Sequence, residues 1–336
     1  MRILCFNVGS SGLRVAAFEV RENELHEVIP RTSVGRGPWQ GALDASFVPD
    51  AVAHRIVRGV KTDVAAELWT PAVNAEIIST EDLAPTHDPQ ALALLANTQA
   101  AFPQAAQIVV YDSAFHATIA PNHATYAVPE DWRAKGIRRV GYHGLSCAYA
   151  AHWLSLYAGN PRRAIHAHLG NGCSVTALVN GKSVATTMGY TPLEGVVMGT
   201  RSGSIDPAIL LHLQNAGMDA AQLRSALFRE SGLRGLCGTN DMREIERRMA
   251  RGNAKALLAF EVFIASVCGS IAQMAAAAGG VDVLTFGGGI GLHSAPVREA
   301  VCTNLAWMLR DAGVYAIDVQ EERTMALAAL HAQMPA

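Results

Sequence analysis

One pattern occurs twice in this chain, far apart: a short apolar run, a glycine-rich turn, and a second run placed to pair back on the first. The first copy runs from Arg2 to Phe6, turns through NVGSSG and returns along LRVAAFEV; the second is AIHAHLGNGCSVTALV, which turns again at Asn180-Gly181 into KSVATTM. Apolar runs joined by glycine turns read as hairpins. Two such hairpins, separated by more than a hundred residues of helical and strand patterns, predict a duplicated α/β core.

The spacing between and after the copies predicts further elements. A helix is expected over Ala65 to Ile78, and a strand over Gln107 to Tyr111 that ends at Asp112. Asp206 to Gly217, Asp219 to Ser231 and Asp241 to Ala278 read as helices, the last broken near Gly252-Asn253. VDVLTF reads as a strand feeding a glycine-rich loop at Gly287 to Gly291, with a helix behind it from Ala295 to Ala312 and a strand-like YAIDVQ beyond. A boundary is expected in Ser146 to Leu154. It makes an N-terminal domain of 1–148 and a C-terminal domain of 149–322, with a last helix over 323–336 packing back on the first.

Composition sets the class of partner. Half of the 336 residues are apolar and 17% are charged, as in a folded protein with a sizeable core. A formal net charge of -2 provides no basic field, so nucleic acid is not an expected partner, and any bound anion must be held by a local cluster. Six cysteines lie scattered without a CxxC pair, the usage of a reducing cytoplasm. The opening MRILCFNVGSS lacks the apolar stretch of a signal peptide, and the apolar run Ile264 to Ala278 is broken by Ser, Gly and Gln. That run reads as a core helix, so no membrane partner is expected.

Three glycine-rich turns follow predicted strands: Asn7 to Gly12, Gly170 to Gly172 and Gly287 to Gly291. Glycine lets successive N–H groups approach an anion and cradle phosphate oxygens, although a lone turn is as often purely conformational. None is a Walker loop, since Lys182-Ser183 stands in a hairpin turn. Arg55 in AHRIVRG and Arg201 in MGTRSGSIDP lie among apolar and glycine residues, where a planar guanidinium suits carboxylate or phosphoryl oxygens better than it suits surface solvation. Asp112 at a strand end and His143 in GYHGLS stand where open α/β sheets face their ligands, with a capping role as the alternative. Glu321-Glu322 are suited either to a hard cation or to the dipole of a helix start.

Taken in order, NVGSSGLR, HRIVRG, LAPTHDP, DSAFHATIAP, GIRRVGYHGLS, HLGNGCSV, NGKSVATTMGYTPLEGVVMGTRSGSIDP, NDMREIE and GGGIG resemble the motifs of the acetate and butyrate kinase family over nearly the whole chain. The resemblance implies the duplicated ribonuclease H-like fold shared with actin, sugar kinases and the large heat-shock chaperones. It implies transfer of a phosphoryl group from ATP to acetate or propionate, with another donor, a longer acid or a non-catalytic nucleotide-binding module as alternatives. Carried over residue by residue, Asp112, His143, Arg201 and Arg55 would be catalytic. Val57, Thr86, Tyr142 and Pro192 would line the acceptor pocket with Arg55 and Arg201. Arg14, His168, Gly170, Asn171, Gly172, Asp241, Met242, Arg243, Gly289 and Gly291 would hold the nucleotide. Asn7 and Glu321 would hold Mg²⁺, with Mn²⁺ as the alternative, and Ser10 would lie near the transferred group. A homodimer is expected from the same resemblance.

The sequence departs from the family in five places. Gly12 and Arg14 stand where Ser and Lys are usual, and Leu292-His293 follow GGGIG in place of Glu-Asn. Tyr142 stands for Phe and Thr86 for an aliphatic residue. The stretch between Val20 and Ala53 is trimmed.

Overall fold

Ile3, Leu4, Cys5 and Phe6 are all fully buried, which is why the first strand reads as a continuous apolar run: both of its faces are covered. In the computed structural model, which describes residues 1–333 apart from 10–11, 23, 36–38, 44–45, 60–62, 81–82 and 84–87, this strand is central in a six-stranded sheet. The strands are β1 (Arg2–Gly9), β2 (Gly12–Arg21), β3 (Glu24–Gly35), β4 (Ala51–Ile56), β5 (Ala66–Leu68) and β6 (Ala106–Tyr111), in the order β3-β2-β1-β4-β6-β5. A second sheet holds β7 (Arg163–Leu169), β8 (Cys173–Val179), β9 (Lys182–Thr186), β10 (Val283–Gly287) and β11 (Gly313–Ala316), in the order β11-β10-β7-β8-β9.

The two sheets share one wiring. In the first, β1, β2 and β3 form an antiparallel meander and β4 then β6 add in parallel beside β1. In the second, β7, β8 and β9 form the meander and β10 then β11 add in parallel beside β7. This is the duplicated ribonuclease H-like arrangement. The turn between β8 and β9 is closed by Asn180 and Gly181, both with positive φ (50° and 73°), the backbone a two-residue hairpin requires.

Side-chain alternation along the first sheet builds two cores. Leu4, Phe6, Val15, Val52, Ile56 and Val109 face the helices Pro71–Ile78 and Asp88–Ala101, which contribute Ile77 and Leu95. Ile3, Cys5, Ala16, Ala53, Ile108 and Val110 face the last helix, Glu321–Gln333, which contributes Met325, Ala326 and Ala329. The chain divides into two compact units: 1–117 with 142–149 and 320–336, and 118–141 with 150–319. The stretch 118–141 thus groups with the second half of the chain, and 320–322 with the first.

Several expected elements change form. The helix expected from Ala65 begins only at Pro71, since Ala66–Leu68 pairs with β6 as an edge strand and proline is suited to the first helical turn, capped here by Thr70. The expected helix 206–217 is shorter, Ala208–Asn215, and 295–312 is helical only to Asn304. Gly287 to Gly291 is not a loop: Gly288–His293 is a short helix directly after β10. Asp219 opens its helix with a capping box to Gln222, and the long helical stretch breaks at Gly252 where Asn253 caps Ala254–Ala278. That helix is long and apolar enough to cross a membrane, but it packs on β7, β8 and β9 and buries Phe260, Phe263, Val267 and Ile271.

His54 lies in the first core, stacked on Phe6 with centroids 5.7 Å apart. Its Nε2 meets Gln107 Oε1 at 2.9 Å and Thr98 Oγ1 at 3.2 Å. Burial lowers its pKa to about 4. The folded value lies below the unfolded one, so this group's contribution to stability is complete above pH ~6.5 and is lost as pH falls toward the folded value, a span of about 3 kcal/mol. Urea unfolding between pH 7 and pH 4 should show that decline, and the His54 ring resonances should stay untitrated above pH ~5. A midpoint near 6.5 for those resonances would place the ring in water.

Candidate active site

In the first unit, a parallel register sets Arg55 and Ile56 on β4 opposite Val110 and Tyr111 on β6, so that Asp112, the next residue, lies beside Arg55. Arg55 Nη2 donates to Asp112 Oδ2 at 2.7 Å, and its Nη1 donates to Val8 O at 3.1 Å and to Asn7 Oδ1 at 3.3 Å. Both residues are buried, Asp112 completely. Burial works against the charged guanidinium, but the Asp112 carboxylate, with Glu321 next, raises Arg55 above its ordinary range and keeps it charged.

Asp112 also organises the turn that carries His143. Its Oδ2 accepts the His143 N–H at 2.9 Å, its Oδ1 the Leu145 N–H at 3.1 Å, and its main-chain carbonyl the Gly144 N–H at 2.9 Å. A Cβ at Gly144 would overlap that carbonyl, and His143 takes a left-handed backbone with φ 57°. A non-glycine residue in that region is uncommon and persists where surroundings enforce it. Val57 N donates to Asp88 Oδ1 at 2.8 Å, and Arg58 Nη1 donates to the Tyr142 hydroxyl at 3.1 Å. Burial raises the Asp88 pKa to about 6.

Asn7 bridges two adjacent buried carboxylates: Nδ2 donates to Glu321 Oε2 and to Glu322 Oε1, each at 2.7 Å. Arg14 Nη1 lies 3.6 Å from each carboxylate. Both acids stand in the first turn of Glu321–Gln333, where the helix dipole favours negative charge. Burial, then the Glu321 charge, raises the Glu322 pKa. Glu322 Oε2 is buried with no hydrogen-bond partner among the described residues. Oxygen donors of this kind, one with an unused lone pair, fit a hard divalent cation that keeps several of its waters.

In the second unit, Arg201 is 5% exposed and its Nη1 donates to Pro192 O at 2.9 Å. His168 pairs in register with Gly287, which brings the turn at 170–172 beside the helix Gly288–His293. Asn171 O accepts the Gly199 N–H at 3.0 Å, and Asn171 Oδ1 accepts from Asn240 Nδ2 at 2.9 Å. Asp241 caps the next helix and forms an exposed pair with Arg243 at 2.8 Å, while Met242 is buried. The turn, the cap and the glycine helix therefore gather at one end of β7 and β10, with Gly289 open on one side.

The structure thus draws Asn7, Arg14, Arg55, Val57, Asp112, Tyr142, His143 and Glu321 into the first unit. His168, Gly170, Asn171, Gly172, Pro192, Arg201, Asp241, Met242, Arg243, Gly289 and Gly291 fall in the second. Ser10 and Thr86 lie outside the described residues. Asp88 and Arg58 join the first cluster without having been singled out by the sequence, and Glu322, read there as one half of the Glu-Glu doublet, joins it beside Glu321. Only the Glu-Glu doublet carried a local signal.

The sequence profile described as Acetokinase family matches residues 43–326. The acetate kinase of Synechococcus sp. (strain JA-2-3B'a(2-13)) is 42% identical over 279 residues, covering 80% of this chain and 69% of that protein. The acetate kinase of Deinococcus deserti is 41% identical over 315 residues, covering 90% and 78%. Among solved structures, Porphyromonas gingivalis acetate kinase matches with a TM-score of 0.84 at 29% identity, covering 99% of this chain and 100% of that one. A propionate kinase from Francisella tularensis subsp. tularensis SCHU S4 matches with a TM-score of 0.86 at 30% identity, covering 98% and 99%. Profile, sequence relatives and structures agree, and the chain belongs to the acetokinase family.

Proposed function

We propose that this carboxylate kinase joins the γ-phosphoryl group of ATP directly to an oxygen of acetate or propionate, giving an acyl phosphate and ADP. The observation that carries the reading is the pair of guanidinium groups buried at Arg55 and Arg201, 6% and 5% exposed, in a chain with no general excess of positive charge. Buried cations of this kind suit two anionic reactants.

The acceptor is already ionised near neutrality, so the chemistry needs no strong base. A carboxylate oxygen forms the new P–O bond while the bond to the β,γ-bridging oxygen breaks, and ADP leaves with the electron pair. Such transfer has a loose transition state with charge on the equatorial oxygens, so positioning and cationic stabilisation dominate. Arg55 and Arg201 hold the acceptor carboxylate and the phosphoryl oxygens, with His143 as a further donor. Asp112 orients Arg55 and takes no proton. The turn at 170–172, the Asp241 cap and the glycine helix hold the nucleotide. Asn7, Glu321 and Glu322 would hold Mg²⁺, or Mn²⁺, which supplies charge neutralisation at the phosphate oxygens when bound.

The enzyme acts as a homodimer in the cytoplasm, without nucleic acid or membrane. Helix Ala208–Asn215 contributes no buried residue and exposes Ile209 and Leu211, apolar surface that self-association could cover. All six cysteines are free thiols, which supports a reducing compartment.

Arg201→Ala should lower kcat on the order of 10² to 10³, the usual loss for one charge-assisted transition-state contact, while leaving the thermal midpoint nearly unchanged. Near wild-type turnover in a folded variant would remove Arg201 from the chemistry.

A hydroxamate trap with straight-chain acids from formate to valerate tests the acceptor. Val57 and Tyr142 are buried, and the Tyr142 hydroxyl is engaged by Arg58, so the lining is polar and closely packed. A pocket gains only about 0.8 kcal/mol per buried methylene, so acetate and propionate should be used similarly and butyrate poorly. A specificity constant still climbing at butyrate would mean a larger pocket.

Leu292 and His293 end the glycine helix, with Leu292 O held by Arg298 Nη1 at 2.7 Å. Replacing polar side chains here removes hydrogen bonds that a base or ribose could use. Leu292→Glu/His293→Asn should therefore tighten ATP and sharpen discrimination against GTP and pyrophosphate. Identical donor profiles in the two proteins would show that these positions do not touch the donor.

A further inference from the structure

Between β9 and the helix Ala208–Asn215 the chain runs without helix or strand from 187 to 207, and this stretch carries both Pro192 and Arg201. A segment of that length keeps one shape only where side chains tie it down. The Tyr126 hydroxyl makes the central tie. It accepts the Tyr190 N–H at 2.9 Å and donates to Glu194 Oε2 in a short hydrogen bond. One oxygen therefore closes both ends of the turn at 190–194, and Pro192, whose carbonyl anchors Arg201, stands at its middle.

Arg139 holds the other side of the same carboxylate. Its Nη2 donates to Glu194 Oε1 at 2.7 Å, and its Nη1 donates to Thr187 O at 2.8 Å and Thr186 O at 3.2 Å, at the end of β9. The guanidinium also lies 5.4 Å from the centroid of the Tyr126 ring. A Cβ at Gly189 would overlap both the Glu194 carboxylate and the Tyr126 hydroxyl, so the clamp closes only over glycine. Burial, then the hydrogen bond to Glu194, raises the phenol above its ordinary range and keeps it a donor.

We propose that Tyr126, supported by Glu194 and Arg139, is a positioning residue for Arg201: it fixes the Pro192 carbonyl and through it the direction of the guanidinium. The proposal rests on the reading of Arg201 as a stabiliser of the transferring group. A misplacement of about 1 Å in such a group can lower turnover by up to about 10²-fold, which gives a remote hydroxyl its leverage.

Tyr126→Phe removes one oxygen and keeps the ring, and Glu194→Gln keeps the volume and removes the charge. Each is made in the wild-type and Arg201→Ala backgrounds, and kcat, KM for acid and ATP, and the thermal midpoint are measured. In the wild-type background each should lower kcat by roughly tenfold with KM little changed. In the Arg201→Ala background, itself impaired, neither should lower kcat further, since nothing remains to be aimed. Equal losses in both backgrounds would mean that the clamp acts through the fold, and no loss in the wild type would mean that the turn holds without it; either overturns the proposal. Failure of the underlying reading shows separately, as full turnover in Arg201→Ala alone, and takes the proposal with it.

Discussion

A guanidinium withdrawn from water keeps its charge, so partners must offset its lost solvation, and removing one partner of a buried ion pair typically costs about 3–5 kcal/mol. In this chain the pair is Arg55 with Asp112, and much of the first unit's geometry follows from it. Neighbouring parallel strands bring the two together at their ends. Asp112 uses the same Oδ2, its Oδ1 and its carbonyl on the main chain of His143, Leu145 and Gly144, which forces the left-handed residue and excludes a side chain at 144. The ion pair thereby sets the entry into the helix Gly144–Tyr157.

Beside that pair the charges are less evenly matched. Glu321 and Glu322 share one asparagine amide and lie at 3.6 Å from Arg14, and one Glu322 oxygen has no hydrogen-bond partner among the described residues. Negative charge held in low dielectric raises the affinity of a site for cations. Burial first, and the neighbouring Glu321 charge second, raise the Glu322 pKa.

Local chemistry was legible in the sequence where one residue decides the backbone. The glycine-turned hairpins, the Asn180-Gly181 turn, the Gly252-Asn253 break and the Asp219 cap all rest on side chains acting on their own neighbours. Asp112 could be read as a site candidate because strand ends in such sheets face ligands. What could not be read depends on distant partners. The strand at Ala66–Leu68 exists because β6 offers an edge, and GGGIG becomes helical although glycine disfavours helix. Tyr126 and Glu194, 68 residues apart, carry no mutual signal. The burial of Glu322 depends on packing across the whole length of the chain.

The helix Glu321–Gln333 covers one face of the first sheet, although more than 160 residues of the other unit precede it in sequence. During synthesis the ribosome delivers β1 long before its cover. Until Glu321–Gln333 emerges, Ile3, Cys5 and Val110 have no Met325 or Ala329 against them, and Asn7 has no carboxylates to bridge. The second unit, whose own sequence is complete by Val319, has all its partners earlier. The acidic pair therefore forms only after the second unit's sequence has been made, and a nascent chain stalled short of Glu321 exposes an apolar sheet face for chaperones to find.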